Sequence, residues 1–148
     1  MGGLVMHHYT MCGLDNVYLE NGYVQKDTED GPVVSIEDLD GLHRAIANDI
    51  ADKKGRLTGR ELRFLRSVLR LSQQKLAEHT GYQRGTVTRW ENGDPIPLAV
   101  EALVRALWVG KSRGCPVTTE LLDEWEREDT KAVRLSYRDT GTGWLRAA

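Results

Sequence analysis

The sequence predicts an α+β fold that is mainly α. A core of four or five helices is flanked by short N-terminal strands and followed by a C-terminal helix-plus-strand extension. Three observations carry this. Apolar residues recur at helical spacing in successive segments between Leu39 and Val109. Capping residues and glycines punctuate those segments. Before and after them, β-branched and aromatic residues partly alternate with polar ones. The composition shifts divide the chain into 1–55, an N-terminal strand/helix extension; 56–110, a helical domain; and 111–148, a C-terminal extension whose aromatic residues want a surface to cover, either the chain's own N-terminal strands or a second copy in a dimer.

At 148 residues and 40% hydrophobic content, the chain has material for one core with extensions. No apolar run approaches the roughly 18 residues that a membrane-spanning helix needs. His7, His8 and Thr10 interrupt any signal-like stretch. Cys12 and Cys115 lie far apart and suggest no disulfide framework, so a reducing cytoplasm is expected. The net charge of −2 conceals an asymmetry. Residues 56–90 hold eight basic side chains against Glu61 and Glu78, whereas residues 1–55 hold ten carboxylates against four basic groups. Phosphate affinity follows the local positive face rather than the total.

In chain order, Val17, Leu19, Tyr23 and Val24 read as strand, with Asn21-Gly22 as a tight turn between them. Lys26–Pro32 reads as a polar loop, and Val33, Val34 and Ile36 as another strand. A helix opens at Ser35-Ile-Glu-Asp38, with carboxylates over the positive end of its dipole. Leu39, Leu42, Ile46 and Ile50 line it, and Lys53-Lys54-Gly55 end it. Thr58-Gly-Arg-Glu61 is a capping box, followed by a core stripe of Leu62, Leu65, Val68 and Leu69.

Residues 72–93 are the centre of the chain. Ser72 is a good N-cap, Leu76 and Ala77 give the helix a small apolar face, and Gly81 ends it. Tyr82, Val87 and Trp90 then form the buried side of a second helix. Its outer face holds Gln83, Arg84, Thr86, Thr88 and Arg89, without a carboxylate. Such a face suits the major groove, where guanine presents two acceptors and thymine a methyl group. Gly85 leaves room for close backbone approach. Pro95 and Pro97 restrict the following turn, and a further helix runs from Leu98 to Val109 with Val100, Leu103, Leu107 and Trp108 as its packing residues. After the break at Arg113-Gly-Cys-Pro116, Thr118 caps a last helix with Leu121, Leu122 and Trp125 as its stripe. Val133, Leu135 and Tyr137 alternate as in a half-buried strand, before a turn at Gly141 and Gly143 and then Trp144 and Leu145.

The series Leu71, Ser72, Gln73, Leu76, Ala77, Gly81, Val87, Trp90, Glu91, Asn92 and Gly93 resembles the helix-turn-helix of the lambda-repressor-like (XRE) family of bacterial and phage DNA-binding proteins. CGLDNVYLENG, DLDGLHRAIA and LTGRELRFLR extend the resemblance to roughly residues 9–110, toward XRE regulators related to MqsA-type antitoxins. The resemblance implies a lambda-repressor-like core, and a homodimeric repressor reading a palindromic double-stranded DNA operator and regulating its own operon. The alternative is an antitoxin whose acidic N-terminal part neutralises a toxin protein. It further implies an ion pair between Arg66 and Glu91, and a phosphate contact through Gln73. Ser72, Lys75 and Gly85 are assigned to phosphate beside Gln73; Arg84, Thr86 and Arg89 to base reading, with Thr88 and Gln83 as second choices.

No metal or cofactor is expected. His7, His8 and Cys12 lack a fourth ligand and any CxxC pair, and the paired cysteines of zinc-bearing relatives are not matched. An enzyme is not expected either. The histidines and cysteines form no nucleophile–base pattern, and there is no phosphate-binding glycine loop.

Overall fold

The structure is a computed structural model and describes residues 6–114, 119–126 and 134–147. Two antiparallel ribbons open the described chain. Strand β1 (His7–His8) pairs with β2 (Tyr18–Leu19), and β3 (Tyr23–Thr28) with β4 (Gly31–Ile36). The expected loop at Lys26–Pro32 is instead the tip of the second ribbon, with Thr28 opposite Gly31 and Glu29-Asp30 as its turn. Here the ribbon is exposed on both faces, so no hydrophobic alternation marks it as strand. Asn21-Gly22 is a bend leading from one ribbon to the other; it does not join two paired strands. Gly22 takes a left-handed backbone there, with φ 78°, which glycine adopts without Cβ strain.

Helix α1 (Leu39–Asp52) begins later than expected, because Ser35 is spent on pairing with Val24 in β4. Asp38 caps it, accepting from the Gly41 backbone N–H at 3.2 Å. A Cβ at position 41 would meet that capping carboxyl, so any other residue there would make the Asp38 side chain shift. Ile46, Ala47, Ile50 and Ala51 are buried along one face.

Thr58 and Glu61 close a reciprocal capping box at the start of α2 (Gly59–Val68). A Cβ on Gly59 would collide with the backbone of Trp90 and Glu91, so this glycine lets α2 meet the end of α4. Helix α3 (Gln73–Thr80) is capped by Ser72, which accepts from the Lys75 N–H at 3.0 Å, and stops at left-handed Gly81. Next comes α4 (Arg84–Glu91), with Val87 and Trp90 buried. Tyr82 departs from the expected buried position. It precedes the helix, stays 44% exposed and lays its ring edge-on against Trp90, because the Gly81 turn carries it over the rim of the core. The next helix, α5 (Leu98–Arg113), runs a turn beyond the expected end at Val109 until Gly114 caps it in the left-handed region.

One hydrophobic cluster joins Tyr9, Leu14 and Leu19 to the buried faces of α1, α2, α3, α4 and α5. Leu62, Leu65, Leu76, Val87 and Val104 are its fully buried members. Truncating one of these leucines to alanine costs about 2–5 kcal/mol. The buried Glu101 fastens the segment before α2 to α5: it accepts from the Leu57 N–H at 2.6 Å and from Arg56 Nε at 2.7 Å, and Arg105 also donates to it.

Helix α6 (Thr119–Trp125) adds Leu122 to a small second cluster with Leu71 and Leu107. Trp125, expected in its apolar stripe, is exposed. Strands β5 (Tyr137–Asp139) and β6 (Trp144–Arg146) form a last hairpin. The expected half-buried strand through Leu135 thus starts only at Tyr137, and all its residues are exposed, because no other described element covers the hairpin. Thr118, Val133, Cys115, Pro116 and the side chain of Leu121 lie outside the described residues.

Candidate nucleic-acid interface

Burial of Val87 and Trp90 fixes which way α4 faces. The opposite side leaves Gln83, Arg84, Gly85 and Arg89 exposed, with Thr86 and Thr88 half-buried. Gln83 is the N-cap residue of α4 but makes no side-chain cap bond. Arg84 forms no ion pair among the described residues. Arg89 donates to the Thr86 hydroxyl at 3.1 Å and lies 3.9 Å from the Asp94 carboxylate, so these two candidate base readers already touch. Open space surrounds Gly85.

A cleft of about 640 Å³ runs beside this face, with Arg63, Arg66, Ser72, Gln73, Arg84 and Thr88 among its lining residues. Beneath it lies a four-residue network. Arg66 donates to Glu91 Oε1 from Nε at 3.2 Å and from Nη2 at 2.8 Å, and its Nη1 donates to the Leu71 carbonyl at 2.9 Å. Gln73 donates to Glu91 Oε2 at 3.0 Å and accepts from the Thr88 hydroxyl at 3.1 Å. Side-chain exposure is 13% for Arg66 and 4% for Glu91, so the pair is largely withdrawn from water. Through Gln73 and Glu91 this network ties the start of α3 to the end of α4, and Arg66 joins α2 to both. The Arg84 carbonyl, 3.2 Å from the same Thr88 hydroxyl, shares its one proton with Gln73, so this hydroxyl faces the protein.

Lys75 stands elsewhere than a free phosphate ligand would. Its ammonium lies 2.7 Å from Asp123 of α6 and 3.6 Å from Glu78. The hydrogen bond to Asp123 is the main reason the lysine is raised above its ordinary 10.5, and the same bond lowers the aspartate below 3.8. One turn on, His79 Nδ1 meets Glu126 at 2.5 Å. His79, Asp123 and Glu126 are residues of metal-ligating type within 4.8 Å of one another, but the Lys75 ammonium already occupies Asp123. At the other end of the molecule His8 bonds the Asp15 carbonyl and stacks on Tyr18, while His7 tilts against Tyr23.

Sequence reasoning did not find Arg63, the tie from Gln73 to Glu91, or the α6 contacts. Arg63 carried a signal, its place one turn before Arg66; the other contacts depend on packing. Among the described residues no helix is long and apolar enough to cross a membrane. No curated protein and no solved structure matches the chain. A family model for a helix-turn-helix domain matches residues 58–112, the segment from the capping box of α2 to the last turn of α5, so this part of the chain is similar to helix-turn-helix DNA-binding domains of the XRE-like kind.

Proposed function

We propose that the protein is a sequence-specific repressor that binds double-stranded DNA as a homodimer and regulates its own operon. The observation that carries this reading is the outward face of α4, where Arg84 is exposed and in no ion pair among the described residues, Arg89 is exposed beside Thr86 with Asp94 at 3.9 Å beyond the helix end, and the capped start of α3 lies alongside. Arg84, Thr86 and Arg89 read base edges, guanidinium groups pairing with guanine and the Thr86 methyl with thymine. Backbone N–H groups at Ser72–Gln73 and Gly85 take phosphates, as helix starts do. Two copies read half-sites about one helical turn apart.

Footprinting on the DNA upstream of the protein's own gene tests this, with protection of a palindrome expected and none refuting the operator assignment. Arg89→Ala should cost about 1–3 kcal/mol on the operator and much less on scrambled DNA. Equal losses on both would remove Arg89 from base reading. A second reading, neutralisation of a basic toxin protein, is favoured by the exposed Asp27, Glu29 and Asp30 at the tip of the β3–β4 ribbon. Charge reversal of those three residues should release such a partner while leaving DNA affinity intact.

A further inference from the structure

A cavity of about 510 Å³ opens where α1, the end of α2 and α5 meet, within the size range of small-ligand sites. Phe64 and Trp108 are its buried lining residues. His43, with Nε2 at 2.8 Å from the Tyr9 hydroxyl and its ring against the edge of Phe64, is held in place at the wall. The rim is cationic: Arg44 comes from α1, Arg70 from the turn before α3, and Lys111 from α5, against the single carboxylate of Asp40. Among the described residues neither Arg44 nor Arg70 is in an ion pair, whereas Arg56, Arg66, Arg105 and Arg113 all are. Among the described residues the Lys111 ammonium is in no ion pair and donates to the Val68 carbonyl at 3.4 Å.

We infer that this cavity binds a small organic anion, a carboxylate or phosphate carried on a flat apolar body. The aromatic lining takes the body, and guanidinium groups from two elements take the anionic head, each able to donate two parallel N–H bonds. Arg70 ties the site to the DNA-binding segment. It holds a left-handed backbone, φ 57°, between Val68 and the Ser72 cap, next to the Leu71 carbonyl that Arg66 grips. An anion drawing on Arg70 therefore acts on the turn that sets α3. The binding step goes beyond the DNA reading and is measured without DNA, so either can fail alone.

Calorimetric titration of the full chain at low ionic strength tests it, using phenyl phosphate and benzoate as probes and benzyl alcohol as the neutral analogue. Saturable binding of at least one anion is expected, with the alcohol roughly tenfold weaker or worse, since a charged hydrogen bond is lost. Arg44→Gln and Arg70→Gln should each weaken the anion by about tenfold, with Arg138→Gln on the C-terminal hairpin unchanged. Melting curves verify that each variant is folded; should Arg70→Gln fail to fold, Arg44→Gln on the exposed side of α1 carries the comparison. Absence of saturable binding, equal affinity for benzyl alcohol, or a loss caused by Arg84→Ala instead of Arg44→Gln would overturn the site.

Discussion

Glu91 accepts from Arg66 and from Gln73 while its side chain is almost wholly shielded from solvent. Taking one partner from such a pair strands the other charge, which costs roughly 3–5 kcal/mol. Arg66→Ala should therefore melt well below the wild type, by on the order of 10 °C for a chain of this size. A melting curve matching wild type would mean that both charges are solvated, worth under about 1 kcal/mol. Gln73 is different in kind. Its amide is spent on Glu91 and Thr88, and it also opens α3 beside the proposed phosphate path. Gln73→Ala should weaken operator and scrambled DNA by the same factor, in contrast to Arg89→Ala. A selective loss on the operator, read in the same titration, would make Gln73 a base reader.

Among elements, α6 lies against α3 through Lys75–Asp123 and His79–Glu126. Asp123 is lowered, so its contribution is present above 3.8 and fades as pH falls through its lower folded value; Lys75 is raised, so its contribution is present below 10.5 and fades as pH rises through its higher folded value. The contact is thus fully charged across the neutral range. In the proposed complex a phosphate competes with Asp123 for Lys75. Asp123→Asn should tighten DNA binding a few-fold at low salt, with the dependence on salt steeper by about one unit. Unchanged affinity and slope would remove Lys75 from the phosphate contacts.

For the whole molecule, the C-terminal hairpin is the feature that a single copy leaves open. Leu135, Tyr137, Trp144 and Leu145 are all more than half exposed, Trp144 at 71%. A two-stranded hairpin alone is marginal in water, and large exposed apolar patches mark contact surfaces. The proposed homodimer places this patch at its interface. Sedimentation at micromolar concentration should give a dimer for the wild type and a monomer for a Tyr137→Ser, Trp144→Ser double variant. A wild-type monomer would refute the homodimer.

Legibility followed the range of the interactions. Thr58, Glu61, Ser72 and Gly81 announced their helix ends because a cap or C-terminal glycine bonds backbone within three or four residues. Leu62, Leu65, Leu76, Ala77, Val87 and Trp90 announced the buried faces through helical period alone. The outward side of α4 followed as their complement. Tyr23, Val24, Val33, Val34 and Ile36 read correctly as strand, but the tip of the β3–β4 ribbon was misread as loop because no apolar alternation marks it there, and Ser35 was misread because two local rules, strand pairing and helix capping, competed for it. By itself the sequence determined the helix-turn-helix, its caps and its exposed cationic face. Tertiary packing alone decided that Gly59 must be bare, that Glu101 is buried between arginines, that Gln73 serves Glu91, and that Lys75 is held by α6. Apart from the Arg105–Glu101 pair within α5, those contacts join residues 18 to 48 positions apart, a separation over which neither period nor capping carries information.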